Sequence, residues 1–185
     1  MEVKPFALHF TWTTYGTWLP GDPRGSTSPT FLSHQPYTQR FNTPGTDYAR
    51  ADAFTQHKSK ALQKDPVVWL TTEMARIVAE CVIETAKSNL WQCSRGAIMS
   101  NHVHFLLMEV PTDPSPTRRM LKGVSQARLT QETGQSRRWW TTGGSDRFKN
   151  DWEAIEAAQN YIMEQERPLV LIKDMEIVLI RYYSA

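Results

Sequence analysis

His102-Val103-His104 puts two imidazoles one residue apart. Successive side chains of a strand point to opposite faces, so the two rings would project together, about 6.6 Å apart, with Val103 pointing the other way. Two imidazoles on one face can share a metal ion. A pair of hydrogen-bonded surface histidines fits the same short pattern. Tyr161 and Gln165 form a second candidate, since residues four apart on a helix face the same way. Ala157, one turn before Tyr161, is small and leaves that face open for a ligand. Tyr161 sits one residue off an apolar stripe, beside Ile162, which places its phenol at the edge of a core. A tyrosine capping a helix–sheet interface and a solvated glutamine at a helix end fit equally well.

These side chains need elements to hold them. Residues 6–18, rich in β-branched and aromatic types, read as a strand, with Phe6, Leu8 and Phe10 alternating with Ala7 and His9. Residues 19–66 are proline-rich and show no sustained period, so they read as a long irregular insertion, with a short helix over 49–64. The spacing of Met74, Ile77, Val78, Cys81, Val82 and Thr85 predicts a helix over 71–91, capped by Thr71 or Thr72. Two strands, 93–99 and 102–110, flank a turn at Ser100-Asn101. A loop follows over 111–116, and then a helix over 117–132 that Gly134 ends. A strand is expected over 138–142 and a turn at Gly143-Gly144. A third helix opens at Asn150-Asp151, with Glu153 in capping-box relation to Asn150, and stops before Pro168. Its apolar stripe is Trp152, Ile155, Ala158 and Ile162. The tail, 167–185, ends in an apolar stretch that suits a docked strand or short helix. The order implies an α+β fold: a ferredoxin-like split βαβ unit with an antiparallel sheet covered by helices and a long insertion after the first strand.

Composition bounds the class. A chain of 185 residues, 40% hydrophobic and 22% charged, suits one globular domain spanning 1–185. The longest aliphatic runs are four residues, 169–172 and 177–180, far short of the roughly 20 a membrane-spanning helix needs. The opening MEVKPFALHF does not read as a signal peptide. Two cysteines, Cys81 and Cys93, show no zinc spacing and cannot form a disulfide framework, so a reducing, cytoplasmic setting is expected. Charge is uneven along the chain. Residues 101–150 carry eight Lys/Arg against four Asp/Glu, and residues 151–185 carry three against seven. A locally basic segment beside an acidic tail suits a polyanion held at one place, or a solvated helix face.

Taken together, Ala97-Ile98-Met99-Ser100-Asn101-His102-Val103-His104-Phe105-Leu106-Leu107, then Leu121-Lys122, the stretch Trp140 to Arg147, and Ala158 to Gln165 resemble the HUH single-tyrosine transposases. These are the transposases of small insertion sequences and the REP-associated tyrosine transposases. The resemblance covers 6–18 and about 67–166. Ser100 stands where the family usually has proline. Gln165 matches the insertion-sequence branch, whereas many REP-associated members have asparagine there.

The resemblance implies a DNA transposase that nicks single-stranded DNA and transfers the strand. The Tyr161 hydroxyl would attack a phosphodiester, leaving a 5′-phosphotyrosine and a free 3′-hydroxyl. His102, His104 and Gln165 would hold Mg2+ or Mn2+. The DNA, single-stranded or hairpin (REP-like), would meet Arg118, Arg119, Lys122, Arg138, Trp140, Arg147 and Lys149, with at most one ring of the Trp139-Trp140 pair free to stack on a base. Action at the nucleoid is implied, with no membrane partner. Both a homodimer exchanging tyrosine helices and a monomer completing its own site fit the family. Two competing readings are a non-catalytic or decayed ferredoxin-like DNA-binding module and a small rolling-circle-type initiator nuclease.

Overall fold

A computed structural model describes residues 6–24 and 51–178. Most of the proline-rich insertion (25–50) and the last seven tail residues lie outside them. The described residues of 1–14 and 69–185 make up one compact unit and those of 15–68 another. The larger unit holds strand β1 (Ala7–Thr13), helix α2 (Thr72–Ser88), strands β2 (Gln92–Ile98) and β3 (His102–Met108), helix α3 (Pro114–Thr133), strand β4 (Ser145–Lys149), helix α4 (Trp152–Met163) and strands β5 (Val170–Lys173) and β6 (Glu176–Val178). The smaller unit holds helix α1 (Ala53–Ala61), capped by the Asp52 carboxylate.

One six-stranded antiparallel sheet runs β4-β1-β3-β2-β5-β6. Its first four strands keep the ferredoxin-like order, and the β5–β6 hairpin extends the β2 edge. Alternation along β1 and β3 divides the side chains between two faces. Leu8, Phe10, Trp12, Val103, Phe105 and Leu107 are buried on one face. Trp12 packs there against Phe105 at 5.4 Å and edge-on to Trp140 at 6.0 Å. The opposite face carries Ala7, Leu106, Ala97 and Leu171, which α4 covers with Ile155, Ala158 and Ile162. Burying each of the two isoleucines contributes roughly 1.5–3 kcal/mol, which fixes the helix that bears Tyr161.

Several boundaries differ from expectation, each for a local reason. The second helix begins at Pro114, three residues early, because Asp113 caps it and a proline in the first turn loses no hydrogen bond. Asp151 rather than Asn150 caps α4, its carboxylate accepting from the Ala154 amide at 2.7 Å. Residues 138–142 are no strand. Trp140 makes only an isolated bridge to Thr14, and the edge strand is the charged Ser145–Lys149, which pairs with β1. Charged side chains are common on edge strands and hide the alternation that marks a half-buried one. The first strand stops at Thr13, and Tyr15 joins the smaller unit, where its hydroxyl accepts from the Lys64 amide at 3.0 Å. Gly21 in that unit has φ +82, and a Cβ there would lie 2.4 Å from the Asp52 carbonyl oxygen.

Among the described residues no helix is long and apolar enough to cross a membrane. Both cysteines are buried thiols. Burial pushes Cys81 up to about 11 and Cys93 up to about 12. Because the thiolate is the reactive form, a thiol-reactive dye at pH 8 is expected to modify neither cysteine on the timescale on which it modifies both in denaturant. Fast labelling of the folded chain would contradict this packing.

Candidate active site

β1 and β3 bring together what the sequence separates. Their register sets Thr11 opposite His104 and Thr13 opposite His102, so all four share the face that α4 covers. The His102 and His104 rings lie 5.0 Å apart, edge to face. Ile162, fully buried, holds α4 against the sheet, and its neighbour Tyr161 projects its ring edge-on to His104 at 5.5 Å and to His9 at 5.9 Å. Tyr161 is 51% exposed, so its ring touches the histidines while much of it stays open to a substrate.

His9 is the residue that the motif reading missed. It is buried on β1, with Nε2 3.1 Å from Nδ1 of His104. The Thr11 hydroxyl lies 3.0 Å from the same Nδ1. His102 has its own partner, Nδ1 lying 2.7 Å from the Asn101 side-chain oxygen. Burial, followed by the charges of Lys149 and Arg147, pushes His9 down to about 4. Burial, followed by His102 and His9, pushes His104 down to about 3. Both are therefore neutral imidazoles at physiological pH, the form in which histidine binds a metal.

Gln165 lies beyond the end of α4, whose C-cap is Glu164. Its side-chain amide donates to the Tyr161 carbonyl at 3.0 Å, so it closes the helix end and turns its donor group to the backbone. Among the described residues no cluster of three or more His, Cys, Asp or Glu side chains is placed to hold a metal ion. The side chains that could hold a divalent ion here are the adjacent imidazoles of His102 and His104, with the Gln165 carboxamide oxygen as a third donor. A bound ion would keep several waters.

The expected basic residues fall into separate groups. Arg147 stands opposite His9 and Lys149 opposite Ala7, both on the histidine face, and their charges act on His9 directly. Arg118 and Lys122 serve the other face. Arg118 pairs with Asp146, which stands opposite Phe10, and Lys122 donates to the carbonyls of Thr141 and Gly143. Burial, with Arg118 nearby, pushes the Lys122 ammonium down to about 8. These two side chains tie the 141–146 segment to α3. Arg119 and Arg138 are exposed. Neither tryptophan of the pair is available for stacking. Trp139 is 1% and Trp140 7% exposed, and the Trp140 indole donates to Ser125 at 3.1 Å.

A family model described as "Transposase IS200 like" matches residues 61–165, 105 of the 185. The chain belongs to the IS200-like transposase family. The match bears out the resemblance to HUH single-tyrosine transposases. Its span takes in His102, His104 and Tyr161 and ends on Gln165, whereas His9 and Thr11 of this IS200-like transposase lie outside it. No curated protein matches the chain. Among solved structures, a REP-associated tyrosine transposase bound to a REP hairpin is similar at 10% identity and a TM-score of 0.44, over 88% of this chain and 67% of that one.

Proposed function

We propose that this IS200-like transposase cuts and rejoins single-stranded DNA through Tyr161. The carrying observation is the placing of a half-exposed phenol against two buried histidines of the same chain. The phenolic oxygen forms a bond to the scissile phosphorus and the bond from phosphorus to the 3′-oxygen breaks. The phenol gives up its proton and the departing 3′-oxygen gains one. The 5′-phosphotyrosine keeps the bond energy, so a 3′-hydroxyl can later rejoin the strand by the reverse attack. A divalent ion, Mg2+ or Mn2+, bound by His102, His104 and Gln165 would neutralise charge on the non-bridging oxygens.

The chain's own residues do the positioning. Ile155 and Ile162 hold the nucleophile's helix on the sheet, and Arg147 and Lys149 lay positive charge along the β4 edge beside the site. That placement supports a DNA path over the histidine face. Hairpin recognition, a REP-like target and action at the cytoplasmic nucleoid follow from the family resemblance. Because Tyr161 stands over the histidines of its own chain, a monomer can complete the site.

Salt dependence separates the two groups of cations. Arg147→Ala and Lys149→Ala are each expected to lower the slope of log affinity against log salt by about 0.7, the value of one phosphate contact on a single strand. Lys122→Met should leave that slope unchanged and lower unfolding stability by about 1–3 kcal/mol, because two turn carbonyls lose their donor. Salt titrations of binding and denaturant unfolding check both. The reaction itself is tested with an end-labelled hairpin strand and Mn2+. The expected products are a free 3′-hydroxyl end and a protein-linked 5′ end, and two free ends would overturn the proposal.

A further inference from the structure

We infer that His9 and Thr11 are positioning residues for His104, together fixing it in the tautomer that carries hydrogen on Nδ1 and leaves the lone pair on Nε2. The inference rests on the reading of His104 as an imidazole that holds a cation. In the β1–β3 register Thr11 stands directly across from His104, and His9, opposite Leu106, is its diagonal neighbour. The two reach one atom from two strand positions, the Thr11 oxygen at 3.0 Å and His9 Nε2 at 3.1 Å from Nδ1. Thr11 also lies 3.5 Å from His9 Nε2, which closes a triangle of three polar atoms.

His104 is 5% and His9 7% exposed, so bulk water does not replace these contacts. A buried ring nitrogen takes the role its partner dictates, and the partner of one nitrogen decides what the other can do. A nitrogen that binds a cation must have no hydrogen. Nδ1–H of His104 donating to His9 Nε2, with the Thr11 oxygen as a second acceptor, leaves Nε2 in that state. The reverse arrangement, with His9 donating, would put hydrogen on Nε2 of His104 and close that nitrogen to a cation. His9 therefore acts through His104 and is not itself a catalytic residue. The β1 strand supplies both partners, which gives the first strand of the sheet a part in a centre otherwise built from β3 and α4.

Two measurements test this on the full chain. Long-range proton–nitrogen correlation spectra of metal-free, nitrogen-15-labelled protein read the His104 tautomer directly. The Nδ1–H form is expected in the unmodified chain and in His9→Gln, whose carboxamide oxygen can accept the same bond. In His9→Phe, which fills the space without an acceptor, and in its combination with Thr11→Val, the Nε2–H form should rise. Manganese affinity, followed by electron paramagnetic resonance, should fall roughly 10-fold or more in His9→Phe, as for loss of an outer-shell partner, and return in His9→Gln. An Nε2–H tautomer in the unmodified chain would overturn the inference, as would a His9→Phe affinity equal to that of the unmodified protein. If His9→Phe fails to fold, the tautomer of the unmodified chain and of His9→Gln decides. Absence of manganese binding by the unmodified chain would overturn the metal reading instead, and the tautomer would still be read without it.

Discussion

Tyr161→Phe is expected to abolish covalent capture of DNA, with a loss of at least about 10³-fold in strand cleavage, while binding stays within about tenfold. The first number reflects loss of the proposed nucleophile, since a phenyl ring has no atom to put in its place. The second reflects how little else the hydroxyl does. Tyr161 is half exposed, and α4 is held on the sheet by its neighbours Ile155, Ala158 and Ile162. One hydrogen bond to DNA contributes about 1 kcal/mol. The ring itself remains against His9 and His104, so unfolding stability should change by no more than about 0.5 kcal/mol. Cleavage of a labelled strand and a filter-binding titration measure the two effects side by side. Residual cleavage close to that of the unmodified chain would point to another nucleophile. Collapse of binding would make Tyr161 a structural residue.

The two histidines of the HUH pair should be equally necessary for cleavage and unequal in stability. His102→Ala and His104→Ala are each expected to lower metal-dependent cleavage by about 10²- to 10³-fold, because each removes one of the two imidazoles proposed to hold the ion. His102 stands at the start of β3, is partly exposed and bonds the adjacent Asn101 side chain. Its loss should cost less than about 1 kcal/mol of stability. His104 is buried between β1 and α4 and satisfies both His9 and Thr11. Alanine there leaves a cavity and removes a hydrogen-bond partner from buried His9 and half-buried Thr11, a loss of about 2–3 kcal/mol. Thermal unfolding checks the difference and the labelled-strand assay checks the shared effect. Cleavage that survives either substitution would remove the metal reading of the pair.

Much of this architecture was legible because local chemistry dictates it. The 3.6-residue periodicity of α2 and of α4, the alternation around His102-Val103-His104 and the stop at Gly134 are properties of short stretches. The meeting of Tyr161 with the histidine pair came from the resemblance to the family, since neither motif alone points to the other. The rest depended on pairing between distant strands. His9 was visible as a polar residue alternating with Leu8 and Phe10, but its place beside His104 follows only from the β1–β3 register. β4 escaped because Ser145–Lys149 is charged on both faces, and only its pairing with β1 makes it a strand. The basic residues of α3 entered as a DNA-facing set through the family resemblance, since charge alone fits a solvated helix face equally well. Arg118 and Lys122 instead meet Asp146 and two turn carbonyls, partners supplied by a segment about 20–30 residues away. Burial of both Trp139 and Trp140 also defeats the alternation argument, since a segment that is not a strand need not send adjacent rings to opposite sides.

Mapping the covalent adduct tests the central claim most directly. The unmodified chain is incubated with a single-stranded hairpin DNA and Mn2+, denatured, digested with a protease and the DNA-linked peptide is sequenced by mass spectrometry. The account predicts a metal-dependent adduct on the peptide containing Tyr161, with the DNA joined through its 5′-phosphate. An adduct on any other residue, or cleavage of the same DNA with no covalent protein–DNA species formed, would contradict it.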